Sequence, residues 1–275
     1  MPERPAERFL AALAADDDPS AAMRTVLVMA HPDDETVGLG AQLPRLRQAR
    51  LVTVTDGAPR DLRDAHAAGF ATAADYAAAR RRELEEAMTL AGIAPDRLVP
   101  LGIADQGAAL DLAGLARRLA DLLDGAALAV THPYEGGHPD HDATAFAVHA
   151  ACALIGRRGR PAPDIVEASF YHDRDGAMAA GAFLPAAGVR ATRFDLDAAQ
   201  RDLKRRMIAC FATQQAMLAQ FPLDRELLRP APAYRFTAPP AVAALYDRFD
   251  WGMRSGRWRT LAAAALAELD LGEPL

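Results

Sequence analysis

Cysteine is scarce in this sequence: two residues in 275, Cys152 and Cys210. They stand far apart, each in a predicted helix, without CxxC spacing and without histidines placed as in a zinc finger. That excludes a disulfide framework and a zinc-ribbon motif, and two free, packed thiols are expected. Positive charge is also in short supply, with 31 Lys and Arg against 37 Asp and Glu, a net charge of -6 and a pI near 5.7. Nucleic-acid binders carry a basic excess on one face, so that class of partner is set aside and neutral or cationic small molecules remain. The positive charges are nearly all arginine, which suits planar, bidentate recognition. Long apolar runs are missing too. The longest, Ala143–Ile155, is interrupted by His149 and too short to span a bilayer. No basic stretch followed by an apolar core marks the N-terminus, so no signal peptide is read and the cytoplasm is the expected compartment. No internal repeat is found, and no low-complexity tail beyond a bias to alanine.

What is present has the composition of a globular protein, 51% hydrophobic and 25% charged. The length allows one large α/β domain or two small ones. Val26-Leu27-Val28-Met29-Ala30 reads as a strand buried on both faces. Further strands are expected over 51–55, 97–101, 126–131, 165–171 and 192–196. Helices are expected over 36–48, 75–91, 110–123, 138–155, 198–220 and 261–269. Pro32 suits the first turn of the first of these, and Gly38 and Gly40 allow it to approach its neighbours closely. Residues 57–74 read as a long loop facing substrate, carrying Arg60, Arg63, Asp64 and His66. Residues 1–22 read as an N-terminal arm or short helix. Residues 23–275 read as a single catalytic α/β domain, with 221–275 a less regular extension packed on it. Alternating strands and helices give a mostly parallel sheet with helices on both faces, whose ligand crevice lies at the carboxyl ends of the strands.

Two motifs fall at that edge. Ala30-His31-Pro32-Asp33-Asp34-Glu35 follows the first strand, and His138-Pro139-Asp140-His141 follows the strand over 126–131. Residues three apart at a helix start share a face, so each motif can aim two side chains into one crevice. His31, Asp34 and His141 supply three N/O ligands with a fourth position open, the donor set of a catalytic zinc. Zinc is the expected metal, with iron(II) or another divalent ion as alternatives. Water in the open position has its pKa lowered to about 7. Asp33 is placed to act as general base. His138 is the partner acid, stabilising a tetrahedral oxyanion as an imidazolium and protonating a leaving amine. Asp140 is expected to hold His138 charged. His132 reads as a support to the ligands or a loop residue, His149 as a packed helix residue, and His66 and His172 as loop residues that reach substrate or do not. The run from Arg80 to Glu86 reads mostly as a solvated helix face.

At these residues the sequence resembles the LmbE / PIG-L family of zinc-dependent de-N-acetylases. Thr55-Asp56-Gly57, Glu83 and Leu90-Ala91-Gly92-Ile93 add to the likeness, which runs from about Val26 to Tyr171. The resemblance implies a Rossmann-like fold and removal of acetyl from N-acetylglucosaminyl conjugates, or cleavage of related amides. It implies the same roles for His31, Asp34, His141, Asp33, His138 and Asp140. It also implies that Arg80 grips sugar hydroxyls and that the loop of Asp105 reaches the sugar. Some relatives carry a tyrosine that assists the oxyanion two residues before the first histidine of the second motif, where Gly136 stands here. Either Tyr134 takes that role from a longer loop, or His138 and zinc suffice.

The expected function is therefore a zinc hydrolase that frees the amine of a small-molecule N-acetyl amino-sugar conjugate. The alternatives are a zinc amidase on a non-sugar amide and a non-catalytic metal or glycan-binding protein. A metal phosphoesterase normally wants a two-metal carboxylate cluster, and ligands for one metal are found. A homo-oligomer is left open, because the apolar C-terminal helix, Trp251 and Trp258 can pack on the domain or on a second copy.

Overall fold

The computed structural model describes residues 3–275. Its strands are β1 (Thr25–Met29), β2 (Arg50–Pro59), β3 (Leu98–Asp105), β4 (Leu128–Thr131), β5 (Asp164–Ala168), β6 (Tyr171–Arg174), β7 (Ala177–Ala180), β8 (Thr192–Asp195) and β9 (Arg225–Pro230). Its α-helices are α1 (Pro5–Ala14), α2 (Pro19–Ala22), α3 (Asp34–Leu39), α4 (Arg63–Ala67), α5 (Ala73–Ala91), α6 (Leu112–Leu123), α7 (Pro139–Arg157), α8 (Ala198–Cys210), α9 (Gln215–Leu218) and α10 (Ser255–Leu269). Seven strands form one sheet in the order β3-β2-β1-β4-β5-β9-β8, and β6 and β7 form a separate hairpin. The pairs β3-β2, β2-β1, β1-β4 and β4-β5 are parallel, whereas β5-β9 and β9-β8 are antiparallel. The expected α/β architecture, a mostly parallel sheet between helices, is what the chain forms.

Strand β1 shows why. All five residues are buried. Val26 and Val28 join the core under α6, α7 and α10, while Leu27 and Met29 join the core under α1, α3, α5 and α8. A strand covered on both faces has no polar alternation, hence the continuous apolar run. The order of the strands reverses between β1 and β4, and a doubly wound sheet opens its ligand crevice at such a point. The two motifs follow these two strands.

Several elements differ from the sequence reading. The helix expected over 36–48 is the short α3, followed by a 3-10 turn at Leu43–Arg45. Gly38 is where it meets the sheet, since a Cβ there would stand 2.9 Å from Ala168 Cβ. The supposed loop over 57–74 contains the end of β2 and helix α4. The helix expected to reach residue 220 stops at Cys210. Strand β9 and the β6-β7 hairpin lie in segments read otherwise or as irregular. Helix α1 buries Ala6, Phe9, Leu10 and Leu13 in the core. Trp258 is fully buried within the chain, its indole N–H donating to the Pro139 carbonyl at 3.1 Å. Cys152 and Cys210 are free, the first buried and the second half-buried. No helix among the described residues is long and apolar enough to cross a membrane.

Candidate metal and catalytic site

The first motif occupies the corner after β1. The Ala30 carbonyl accepts hydrogen bonds from the Thr55 amide (2.8 Å) and hydroxyl (2.9 Å), and the Ala30 amide donates to His132 Nε2 (2.9 Å). The corner is thereby fastened to the ends of both neighbouring strands. Pro32 does not enter the helix as expected. The amides of Asp33 and Asp34 turn back onto the His31 carbonyl, and α3 begins only at Asp34. Asp33 takes φ 154° and ψ -23°, a conformation that strains any residue with a side chain. Its amide donates to Glu35 Oε2 at 3.2 Å. Its carboxylate pairs with Arg80 at 2.9 Å.

The second motif is an ordinary helix start. His138 is the N-cap of α7, its Nδ1 accepting the Asp140 amide hydrogen at 3.1 Å. Pro139 takes the first helical position, where a missing N–H is harmless. Asp142 accepts the Gly136 amide at 3.0 Å and closes the preceding loop.

The two corners bring His31, Asp34 and His141 together. His31 Nδ1 lies 3.2 Å from His141 Nε2 and 3.3 Å from Asp34 Oδ2, and His141 Nε2 lies 3.3 Å from Asp34 Oδ1. Ligands about 2.0–2.1 Å from a tetrahedral zinc stand roughly 3.3–3.4 Å from one another. The three donors therefore fit zinc by chemistry and by spacing, and all three residues are buried. His31, His138 and Asp140 form a second, overlapping group of donor atoms.

The surrounding residues hold this set. His31 Nε2 faces Asp105 Oδ1 at 3.2 Å and Asp140 Oδ2 at 3.5 Å. Burial opposes the charge on His31, yet Asp105, Asp140 and Asp34 together hold its pKa well above the ordinary value. His132 Nε2 lies 3.4 Å from Asp34 Oδ2 and its ring stacks on His141. Burial, and then the neighbouring His141, keep His132 well below the ordinary histidine range. Burial and His31 do the same to His138. For Asp34, burial is outweighed by His141, His132 and His31, and its pKa lies well below the carboxylate range. Burial raises Asp33 to about 7, with Arg80 and His31 opposing and Asp34 and Asp105 adding to the rise.

Some expected roles change. Asp140 does not hold His138 through its carboxylate. That group accepts the amides of Gln106 (2.6 Å) and Ala108 (3.1 Å), fixing the loop after β3 beside the site. The amide hydrogen bond to His138 Nδ1 and the burial of the ring both disfavour the imidazolium expected there. Arg80 is buried with its terminal nitrogens on Gly57 O (2.8 Å), Pro32 O (3.1 Å) and Asp33, so it positions Asp33 rather than offering a free fork to sugar hydroxyls. Gly57, at φ +65°, allows this approach, since a Cβ there would stand 2.8 Å from the guanidinium. Asp105 turns its carboxylate to His31. The Tyr134 hydroxyl is spent on the Ala238 carbonyl at 2.9 Å, in the core beside Trp258.

The site opens into a cavity of about 790 Å³. His31, Asp33, Asp34, Arg80, Asp105, His138 and His141 all line it, and Tyr134 and His66 do not. His66 is exposed on α4, whereas Asp64 of the same helix faces the cavity. The phenols that face it are Tyr76 and Tyr171, the second with its ring 5.2 Å from that of His141. Thr213, Gln214, Phe221 and Trp251 also line the cavity. Glu35 and Trp251 were not assigned to the site by sequence; for Glu35, its place inside the motif was the available signal.

Residues 26–152 match the family model described as PIG-L: GlcNAc-PI de-N-acetylase. Among solved structures, the chain is similar to the A40926 pseudoaglycone deacetylase Dbv21, with a TM-score of 0.56 and 21% identity over 76% of this chain and 96% of that one. It is similar to the zinc-inhibited form of teicoplanin deacetylase Orf2, with a TM-score of 0.55 and 19% identity over 76% and 97%. It is also similar to GalB, the 4-carboxy-2-hydroxymuconate hydratase of Pseudomonas putida KT2440, with a TM-score of 0.50 and 16% identity over 80% and 100%. No curated protein matches the chain. At these identities the structural likeness carries the fold, and a fold hosts more than one reaction. The family match spans both motifs, and the resemblance stands over residues 26–152.

Proposed function

We propose that this protein is a zinc-dependent hydrolase that removes the acetyl group from the amine of an N-acetyl amino sugar or its conjugate. The observation that carries this reading is the mutual spacing of His31, Asp34 and His141 with the strained Asp33 beside them. The family match and the deacetylases of like fold support it.

His31, Asp34 and His141 would hold the metal, which when bound supplies Lewis acidity to the amide carbonyl and to water. The chain supplies the proton traffic. Arg80 Nη2 engages Asp33 Oδ2 and leaves Oδ1 to take a proton from the attacking water. With its pKa raised to about 7, Asp33 can also return that proton to the departing amine. The C–N bond then breaks to give acetate and the free amine. His138 donates from Nε2 to the developing oxyanion, its Nδ1 being fixed by the Asp140 amide. Asp105 and Asp140 orient His31, as outer partners of a ligating histidine do.

A screen of amine release from N-acetyl sugars, sugar nucleotides and glycosides, with metal analysis alongside, tests the reading. Amine release by the wild type, and bound metal without turnover in Asp33→Ala, is the expected result. Zinc bound with no amine released from any amide would favour a binding protein, and release from non-sugar amides alone would favour a different amidase.

A further inference from the structure

We infer that Trp251, backed by Phe249, forms a shelf for a second ring of the substrate, joined to the amino sugar on the side away from its acyl group. The inference rests on the deacetylase reading and adds the kind of conjugate. Trp251 lines the cavity with its ring 4.8 Å from that of His138. Phe249 stacks on Trp251 at 4.5 Å and an interplanar angle of 16°. The aromatic strip they form is a stack in which Phe249, 40% exposed and outside the cavity lining, backs Trp251 from the surface side. Among the described residues Phe249 and Leu110 are the large hydrophobic side chains left exposed. The strip is fixed in place. Tyr246 and Met253 on either side are buried, and Arg63 at the start of α4 donates to the Asp250 carbonyl at 2.6 Å. The next residue, Asp64, lines the same cavity and offers an acceptor to hydroxyl groups.

The negative face of an indole attracts polarised C–H and the edges of other rings. A pyranose with its C–H face down, or an aryl group, meets that demand; an alkyl chain lacks a matching flat face. The cavity, about 790 Å³, lies in the upper part of the roughly 300–1,000 Å³ range of ligand pockets. It leaves room beyond one amino sugar.

The test compares kcat/KM for three N-acetylglucosaminides: methyl, 4-nitrophenyl, and the β-1,4-linked disaccharide. Wild type is expected to favour the ring-bearing pair over the methyl glycoside. Trp251→Ala is expected to reduce that preference about tenfold, mainly through KM, as loss of one stacked ring would. Phe249→Ala reduces it less, and Trp251→Phe restores most of it. The larger preference, for aryl or for sugar, tells which ring the shelf takes. A preference untouched by Trp251→Ala, or an equal fall on methyl and ring-bearing substrates, would overturn the inference. Fluorescence titration with the corresponding free amines separates the two readings. Tighter binding of the ring-bearing amines that Trp251→Ala abolishes, without amine release from any substrate, sinks the deacetylase reading and keeps the shelf.

Discussion

The two His-Pro-Asp corners share three residues in order and differ in backbone. At His138-Pro139-Asp140 the proline starts a helix, and the histidine caps it in ordinary extended conformation. At His31-Pro32-Asp33 the proline stands outside the helix and the aspartate sits at φ 154°. At the second corner the histidine's own ring accepts the Asp140 amide hydrogen, as an N-cap does. The first is held by Glu35 within the motif and by Thr55, His132 and Arg80 from outside it. Strain at a functional site persists where its surroundings over-determine it. On the proposed reading the strained corner carries the group that moves a proton, Asp33, and the relaxed corner carries groups that stay in place.

Removing members of each corner should break that contrast in order of size. His141→Ala, on the relaxed side, is expected to lose both metal and turnover, because one of three converging donors is gone; metal analysis and amine release check it. Asp33→Ala, on the strained side, is expected to keep metal and lose about 10²–10⁴-fold in turnover, the usual contribution of a general base. Loss of metal in that variant would show that Asp33 is a ligand and not the base. Arg80→Gln comes next. Arg80 favours the ionised form of Asp33, so its removal makes the carboxylate harder to ionise. Activity that needs the free carboxylate falls as pH drops, and this acidic limb is expected to move to higher pH in the variant. A pH–rate profile with an unmoved limb would detach Arg80 from Asp33.

The alternation of elements and the two motifs were legible because each is local in sequence. Apolar runs mark β1 and β4, and each motif sits directly after one of them. What was not legible depends on distant partners. Strand β9 reads as irregular because Arg225, Glu226 and Arg229 break any apolar pattern. In the fold Glu226 pairs with the buried Lys204 at 2.8 Å, and Arg229 with Glu167 at 2.8 Å. Charges neutralised across 22 and 62 residues look like surface until the partners are known. Proximity also misled at Tyr134, which is two residues from the missing phenol in sequence yet turned into the core. Tyr171, whose ring does face the cavity, lies beyond β5, where strand order brings it to the same edge as the two motifs.

Asp140→Asn sharpens the comparison at lower cost. Both carboxylate oxygens accept backbone amides, and an amide side chain cannot accept at both. Leaving one buried amide unmatched costs about 1–3 kcal/mol, and disturbing the partner of a metal-binding histidine typically weakens metal about 10–100-fold. Thermal melts with and without zinc should show both effects. A variant with full metal affinity would mean that Asp140 braces the loop alone.

Tyr134→Phe has the smallest expected effect and decides which phenol belongs to the site. Its hydroxyl donates to the Ala238 carbonyl at 2.9 Å and lies 3.3 Å from that of Phe236, joining the loop before α7 to the C-terminal segment. Burial pushes its pKa well above the ordinary value, so it stands as a neutral donor. Losing one such bond costs about 0.5–1.5 kcal/mol, read as a small drop in Tm, with kcat unchanged. His138 lines the cavity and Tyr134 does not. A fall in kcat for Tyr134→Phe that exceeds the fall for Tyr171→Phe would return the oxyanion role to Tyr134 and require the loop over 132–138 to turn inward during turnover.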